Sequence, residues 1–193
     1  MRRRRLLATV GAGVAAGVAG CAGESERTTP AFRASSPVMS DGGTLPTPYT
    51  CDGEWQSPPL SIERVPEPTA ALAVTAEADL GPINEPVFWS LWNVPADTER
   101  IPEGVPRTET VDSLGGARQG QREGGEVGYS APCPPAGATV ELRFQVYALR
   151  EELDAPPGAT HDTVVEEIER TVLASRRITV TYRRPGESGT DES

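Results

Sequence analysis

The sequence predicts a mainly β domain, a β-sandwich of short strands with one helix near its C-terminus. Short apolar segments are bounded by Pro and Gly, and polar and apolar residues alternate along the longest of them. Only one segment has strong helical periodicity. About 150 residues follow the N-terminal leader and tether, which is enough for one domain.

Four segments have strand character: 70–76, 87–94, 140–149 and 177–182. The third alternates strictly, so Val140, Leu142 and Phe144 should share a buried face. The second contains the sequence FWSLWNVP, with three of the ten aromatic residues of the chain. We expect its alternate side chains to face opposite sides of the strand, one side towards the core and the other towards a ligand site.

The segment 160–173 predicts an amphipathic helix whose apolar stripe ends at Val172. Thr163 and Glu166 have the spacing of a capping box. The segment 101–127 is rich in Gly and Pro and poor in large apolar residues, so we expect a surface loop there.

Residues 1–20 have the pattern of a secretory signal, with four arginines, an apolar run and small residues before Cys21. An apolar run of about 14 residues is too short to span a bilayer. Arginines followed directly by two leucines suggest the twin-arginine route. We expect Cys21 to carry a lipid that anchors a lipoprotein to the outer face of the cytoplasmic membrane. The alternative is a plain cleavable signal and an incidental cysteine.

The rest of the chain divides by composition. Residues 21–40 predict a flexible tether, 41–184 the folded domain, and 185–193 a disordered tail.

The charge balance excludes two classes of partner. All 18 basic residues are arginine, and without residues 1–20 the chain has 14 of them against 28 acidic residues, a formal charge of −14. Such a surface repels nucleic acid and anionic headgroups, so we expect neither as a diffusely bound partner. An excess of acids without lysine is typical of proteins that work in molar salt, where a Debye length of about 3 Å screens self-repulsion.

Cysteine and histidine usage argues against a metal site and against catalysis. Cys51 and Cys133 should form a disulfide, because paired cysteines of exported proteins are usually bonded. A structural zinc site needs four ligands, so we expect no metal and no cofactor. The only histidine, His161, begins the predicted helix, where a surface role is expected. No Gly-x-Ser-x-Gly elbow presents a nucleophile, so we do not expect an enzyme.

Several short motifs, taken in order, resemble the phosphatidylethanolamine-binding protein (PEBP) family in its bacterial and archaeal, Raf-kinase-inhibitor-like branch. The resemblance covers most of residues 45–182 and implies a Greek-key sandwich of two antiparallel sheets. It also implies a small pocket at one end that binds phosphate and phosphorylated headgroups. The motifs are YTCDG at 49–53, SPPLS at 57–61, VP at 65–66, LAV at 72–74, WSLWNVP at 89–95, GY at 128–129, PCPPAG at 132–137, Phe144 and YAL at 147–149.

Each motif of the family's pocket is altered here. The Asp-Pro-Asp-x-Pro loop becomes EADLGP at 77–82 and retains Asp79. The His-Trp pair becomes Phe88-Trp89. Val140, Glu141 and Leu142 occupy the positions of a His-Arg-Tyr sequence. The ligand pocket that the resemblance implies is lined by Asp79, Phe88, Trp89, Pro132, Gly137, Val140 and Leu142.

These replacements remove side-chain donors that an anion needs. We therefore expect a small-molecule binding module whose phosphate or headgroup site is largely lost and more apolar. The alternative is a non-catalytic scaffold that binds an unknown protein and keeps a vestigial pocket.

Overall fold

The computed structural model describes residues 31–78, 86–122 and 125–186. In this part of the chain the fold is mainly β with one α-helix, which confirms the predicted class. The helix α1 is His161–Thr171. The strands are β1 (Arg33–Ser35), β2 (Gly43–Thr44), β3 (Leu60–Glu63), β4 (Ala71–Ala78), β5 (Val87–Pro95), β6 (Arg100–Ile101), β7 (Thr110–Val111), β8 (Ala117–Gln119), β9 (Thr139–Leu149) and β10 (Val172–Arg183).

The strands form two sheets. The small sheet has the order β1-β3-β6, and the large sheet has the order β2-β10-β9-β4-β5-β8-β7. Among the described strands, all pairings are antiparallel except that of β10 with the two-residue β2, which is parallel. The resemblance implied antiparallel sheets throughout, so the large sheet departs from that expectation at this edge.

The main core lies between the two sheets. Leu60, Ile62 and Ile101 of the small sheet belong to the same buried cluster as Val74 and Phe144 of the large sheet. The alternation predicted for β9 is confirmed, because its even-numbered residues 140–148 are buried. The large sheet therefore has an inner face towards the small sheet and an outer face.

A second core lies on the outer face, under α1. Val164 and Ile168 of the helix pack with Ala73, Trp92 and Leu149 of the sheet. Helix α1 is thus attached to the outer face through one apolar stripe.

The helix is shorter than predicted. The chain is extended at Thr160, the N-cap, and again at Val172, where β10 begins directly. Val172 is 39% exposed and does not join the apolar stripe. Thr163 lies inside the first turn, so the predicted capping box is wrong; its hydroxyl lies 3.0 Å from that of Thr160 instead.

The segment 101–127 is more than a surface loop. It contributes β7 and β8, which extend the large sheet beyond β5. Val111 is buried, and Gln119 is fully buried with its side-chain amide donating to the Pro106 and Thr108 carbonyls. Parts of this segment can be buried, although it has few large apolar residues, because the backbone of β7 and β8 is paired and the side chain of Gln119 is hydrogen-bonded.

The folded domain begins before residue 41. Strand β1 lies inside the predicted tether 21–40, where Ala34 pairs with Ile62 and is buried. The signal segment 1–20, Cys21, Asp79 and residues 187–193 of the predicted tail lie outside the described residues. Among the described residues, no helix has both the length and the apolar character needed to cross a bilayer.

Candidate functional site

A pocket of about 490 Å³ lies at one end of the large sheet, where β4 ends and β5 begins. The loop before β9 closes its other side. The lining residues are Ala78, Pro86, Phe88, Ser130, Ala131, Pro132, Cys133, Pro134, Pro135, Ala138, Thr139 and Val140.

The loop 130–138 is tied to the rest of the domain at three points. Cys133 forms a disulfide with Cys51. The Cys51 N–H donates to the Pro132 carbonyl at 3.2 Å, and the Ser130 N–H donates to the Phe88 carbonyl at 2.7 Å. Prolines fix the backbone between these points. The pocket wall is therefore preformed.

A β-bulge directs Phe88 into this pocket. On β4, Ala76 pairs with Trp89 and the next residue, Glu77, pairs with Val87, so β5 has one extra residue at Phe88. Val87 consequently lines a cavity on the outer face while Trp89 lies in the inner core. Simple alternation, as predicted from the sequence, would have put Val87 and Trp89 on the same face.

Trp89 does not line the pocket. Its side chain is fully buried, and its indole N–H donates to Gln119 Oε1 at 2.7 Å. It also makes an edge-to-face contact with Tyr129, with ring centroids 5.9 Å apart. Burial raises the pKa of Tyr129, whose hydroxyl donates to the Tyr49 carbonyl at 2.7 Å. Trp89 is thus a core residue beneath the site.

Of the seven residues predicted to line the pocket, Phe88, Pro132 and Val140 do so. Leu142 is fully buried in the core. Gly137 adopts a positive φ of 78° in the turn before β9, and its N–H donates to the Arg184 carbonyl at 3.1 Å. It therefore shapes the turn and is absent from the lining.

The pocket lining is chemically apolar. Among the described lining residues, only Ser130 and Thr139 have a polar side chain, and none is charged. Two hydroxyl groups can orient a ligand, but neither is a positively charged donor for an anion. This arrangement favours an apolar or aromatic group with one small polar substituent.

A polar constellation on the outer face was missed by the sequence reasoning. Ser90 Oγ lies 2.8 Å from Nδ1 of His161, and Glu77 Oε1 lies 3.3 Å from Nε2 of the same ring. In the tautomer that donates through Nε2 to Glu77, Nδ1 of a neutral imidazole can accept from the Ser90 hydroxyl. The hydrogen bond from His161 lowers the pKa of Glu77, although burial opposes this shift.

This constellation corrects the surface role expected for His161, whose side chain is only 16% exposed. It is nevertheless a poor hydrolase site, because Ser90 is 3% exposed and absent from the cavity lining. No local signal could have revealed it, since Ser90 and His161 are 71 residues apart in the chain. Within the described ranges, no group of three or more His, Cys, Asp or Glu side chains could hold a metal ion.

Comparison with known proteins points to one family. The family model described as phosphatidylethanolamine-binding protein matches residues 35–183. A UPF0098 protein of Methanothermobacter thermautotrophicus is 37% identical over 147 residues, covering 76% of this chain and 95% of its own. The candidate lipoprotein LppC of Mycobacterium tuberculosis is 28% identical over 201 residues, covering 93% of this chain and 96% of its own.

Two solved structures have the same fold. A PEBP homologue from Chlamydia trachomatis superposes with a TM-score of 0.70 at 28% identity, covering 80% of this chain and 98% of its own. Escherichia coli YbcL, described as a new member of the mammalian PEBP family, gives a TM-score of 0.72 at 27% identity, covering 79% and 98%.

Proposed function

Since the chain belongs to the phosphatidylethanolamine-binding protein family, we propose that it is a small-molecule binding module whose phosphate or headgroup site has become apolar. The proposal includes no catalytic step. Its ligand is an apolar or aromatic group of a size that a pocket of about 490 Å³ accepts.

The observation that carries this proposal is the position of Phe88 and Val140 in the pocket wall. The family resemblance leads us to expect histidines at both positions. A charge-assisted hydrogen bond contributes about 1.5–3 kcal/mol, so the loss of two weakens anion binding by roughly a hundredfold or more. The hydroxyls of Ser130 and Thr139 then serve to orient a mostly apolar ligand.

We also propose that the protein is exported and held at the membrane by lipid on Cys21. The arginine-rich leader and the small residues before Cys21 support this, as does similarity to the candidate lipoprotein LppC. The charge of −14 supports a working environment of high salt.

A thermal-shift assay tests the ligand class, with indole, inorganic phosphate and phosphoethanolamine as probes. Indole has an aromatic ring system and one N–H group, which can donate a hydrogen bond to a hydroxyl oxygen of the pocket. At a hundredfold excess over its Kd, it should raise the Tm by about 5–10 °C, and the two phosphorylated probes should leave the Tm unchanged.

Two variants test whether indole binds in the pocket at Phe88. Ala138→Trp places a large side chain in the pocket and should abolish the indole shift. Ala136→Trp is the matched control, because Ala136 is an exposed residue of the same loop that does not line the pocket. A shift with phosphoethanolamine, or an indole shift that survives in Ala138→Trp, contradicts the proposal. If no probe shifts the wild type, the scaffold function is the better account.

A further inference from the structure

A second cavity, of about 550 Å³, lies on the outer face of the large sheet beside α1. Among the described residues, it shares no lining residue with the pocket at Phe88. Its lining residues are Thr75, Glu77, Val87, Arg143, Gln145, Tyr147, His161, Asp162, Val165, Glu166, Glu169 and Arg177.

The floor of this cavity is formed by polar and charged side chains from three adjacent strands. Thr75, Gln145 and Arg177 form one row across β4, β9 and β10, and Arg143 lies opposite Glu77 in another row. The Arg177 Nε–H donates to Gln145 Oε1 at 2.9 Å, which holds that side chain against the floor. Two guanidinium groups on a rigid sheet are suited to receive a carboxylate.

The wall opposite is anionic. Asp162, Glu166 and Glu169 lie four and three residues apart on α1 and therefore share the face that borders the cavity. Glu166 also forms an ion pair with Arg170, whereas Asp162 and Glu169 are exposed towards the cavity side. Carboxylates in this position suit ammonium groups.

The end of the cavity is fixed by His161. Its two ring nitrogens contact Ser90 and Glu77, so the first turn of α1 is locked to β4 and β5. The arginines of the floor and the carboxylates of α1 are thereby held at fixed positions relative to each other. Preorganised groups of opposite charge bind a ligand with less ordering cost than mobile ones.

The charges that line this second cavity limit the kind of ligand that it can bind. Among the described lining residues, two arginines stand against four acidic residues, a formal charge of −2 when His161 is counted as uncharged. This charge disfavours phosphate and other net anions, while the two arginines disfavour a ligand that is only a cation. We propose that this cavity binds a basic amino acid. Its carboxylate contacts Arg143 and Arg177, and its ammonium groups lie along the carboxylates of α1.

An NMR titration of the ¹⁵N-labelled domain with L-lysine and two truncated analogues tests this site. Cadaverine lacks the carboxylate of lysine, and 6-aminohexanoate lacks its α-ammonium group. L-lysine should saturate, with shifts at α1 and at residues 143–147 of β9, and each analogue should bind at least tenfold more weakly. Because the shifts fall away from Phe88 and Val140, this result is independent of the proposed function of the other pocket.

Matched variants complete the test. Arg177→Gln should weaken L-lysine binding at least tenfold, whereas Arg183→Gln, which removes the same charge from an exposed position of β10 outside the cavity, should not. Glu169→Gln and the exposed Glu151→Gln form a second pair. The proposal is overturned if L-lysine does not saturate, if cadaverine binds as tightly as L-lysine, or if the cavity variants behave like their controls.

Discussion

At the scale of single residues, Phe88 and His161 decide how this domain differs from the anion-binding pattern that its motifs resemble. Phe88 occupies a bulge that turns its ring into the pocket, so an apolar ring lies where the family resemblance predicts an imidazole. The single histidine of the chain lies instead on the outer face, between Ser90 and Glu77. It therefore serves the attachment of α1 to the large sheet.

The Glu77–His161 contact predicts a pH-dependent stability. The pKa of Glu77 is lowered in the folded state, so its ionised carboxylate stabilises the fold. This contribution to the free energy of unfolding is complete above the unfolded-state pKa of about 4.3, and it is lost as the pH falls through the lower folded-state pKa. Glu77→Gln should reduce the free energy of unfolding by about 1–2 kcal/mol at pH 7. The difference from wild type should shrink towards zero near pH 3. Urea titrations at several pH values measure it.

Glu141→Gln is the control, since it removes a charge from an exposed position of β9. It should change stability little at either pH. A Glu77→Gln effect of equal size at pH 7 and pH 3 would refute the electrostatic account.

At the scale of structural elements, strand faces could be predicted and the contacts between elements could not. Strict alternation in 140–147 predicted the buried face of β9, because one face of a strand follows directly from a period of two. The bulge at Phe88 depends on how β5 pairs with β4, which the sequence of β5 does not contain. Strand β8 could not be predicted for the same reason, because its burial depends on hydrogen bonds between Gln119 and other strands and loops.

The site was predicted to a similar extent. Of the residues that the family resemblance predicted for a ligand site, Phe88, Pro132 and Val140 line one cavity. The resemblance also included Leu142, which faces the core, and Trp89, which the bulge separates from Phe88. Proximity in the sequence motif was therefore a poor guide to which side chain reaches the pocket.

The disulfide between Cys51 and Cys133, which attaches the proline-rich loop to the domain, should contribute to stability. It joins residues 82 positions apart and should contribute roughly 4–5 kcal/mol by restricting the unfolded chain. The double variant Cys51→Ser/Cys133→Ser should lower the free energy of unfolding by that amount in urea titrations. A change below about 1 kcal/mol would contradict this role.

The bond itself is checked by alkylation and intact mass. In a Cys21→Ser background, the denatured protein should take up no label before reduction and two labels after it. Two labels without reductant would show free thiols.

At the scale of the whole molecule, the arginine-rich leader and the acidic surface charge support the proposal that the protein is exported. The domain begins at β1, so only a short segment separates Cys21 from the first strand. Each acyl methylene buried in a bilayer adds about 0.8 kcal/mol to anchoring. We therefore expect lipid on Cys21 to keep the domain close to the membrane surface.

Membrane fractionation tests the anchor. Cys21→Ser should move the protein from the membrane to the soluble fraction, because no acyl chain can then be attached. Ser25→Ala, a change four residues further along the predicted tether, is the control and should remain in the membrane fraction. A Cys21→Ser protein that stays on membranes would exclude lipid on this residue as the anchor.

The most direct test of the central claim is calorimetric titration of the wild-type domain with indole and with phosphoethanolamine under identical salt. An apolar pocket at Phe88 and Val140 predicts a saturable heat for indole and an affinity for phosphoethanolamine roughly a hundredfold or more weaker. Phosphoethanolamine binding as tightly as indole, or more tightly, would contradict the loss of anion chemistry on which the account rests.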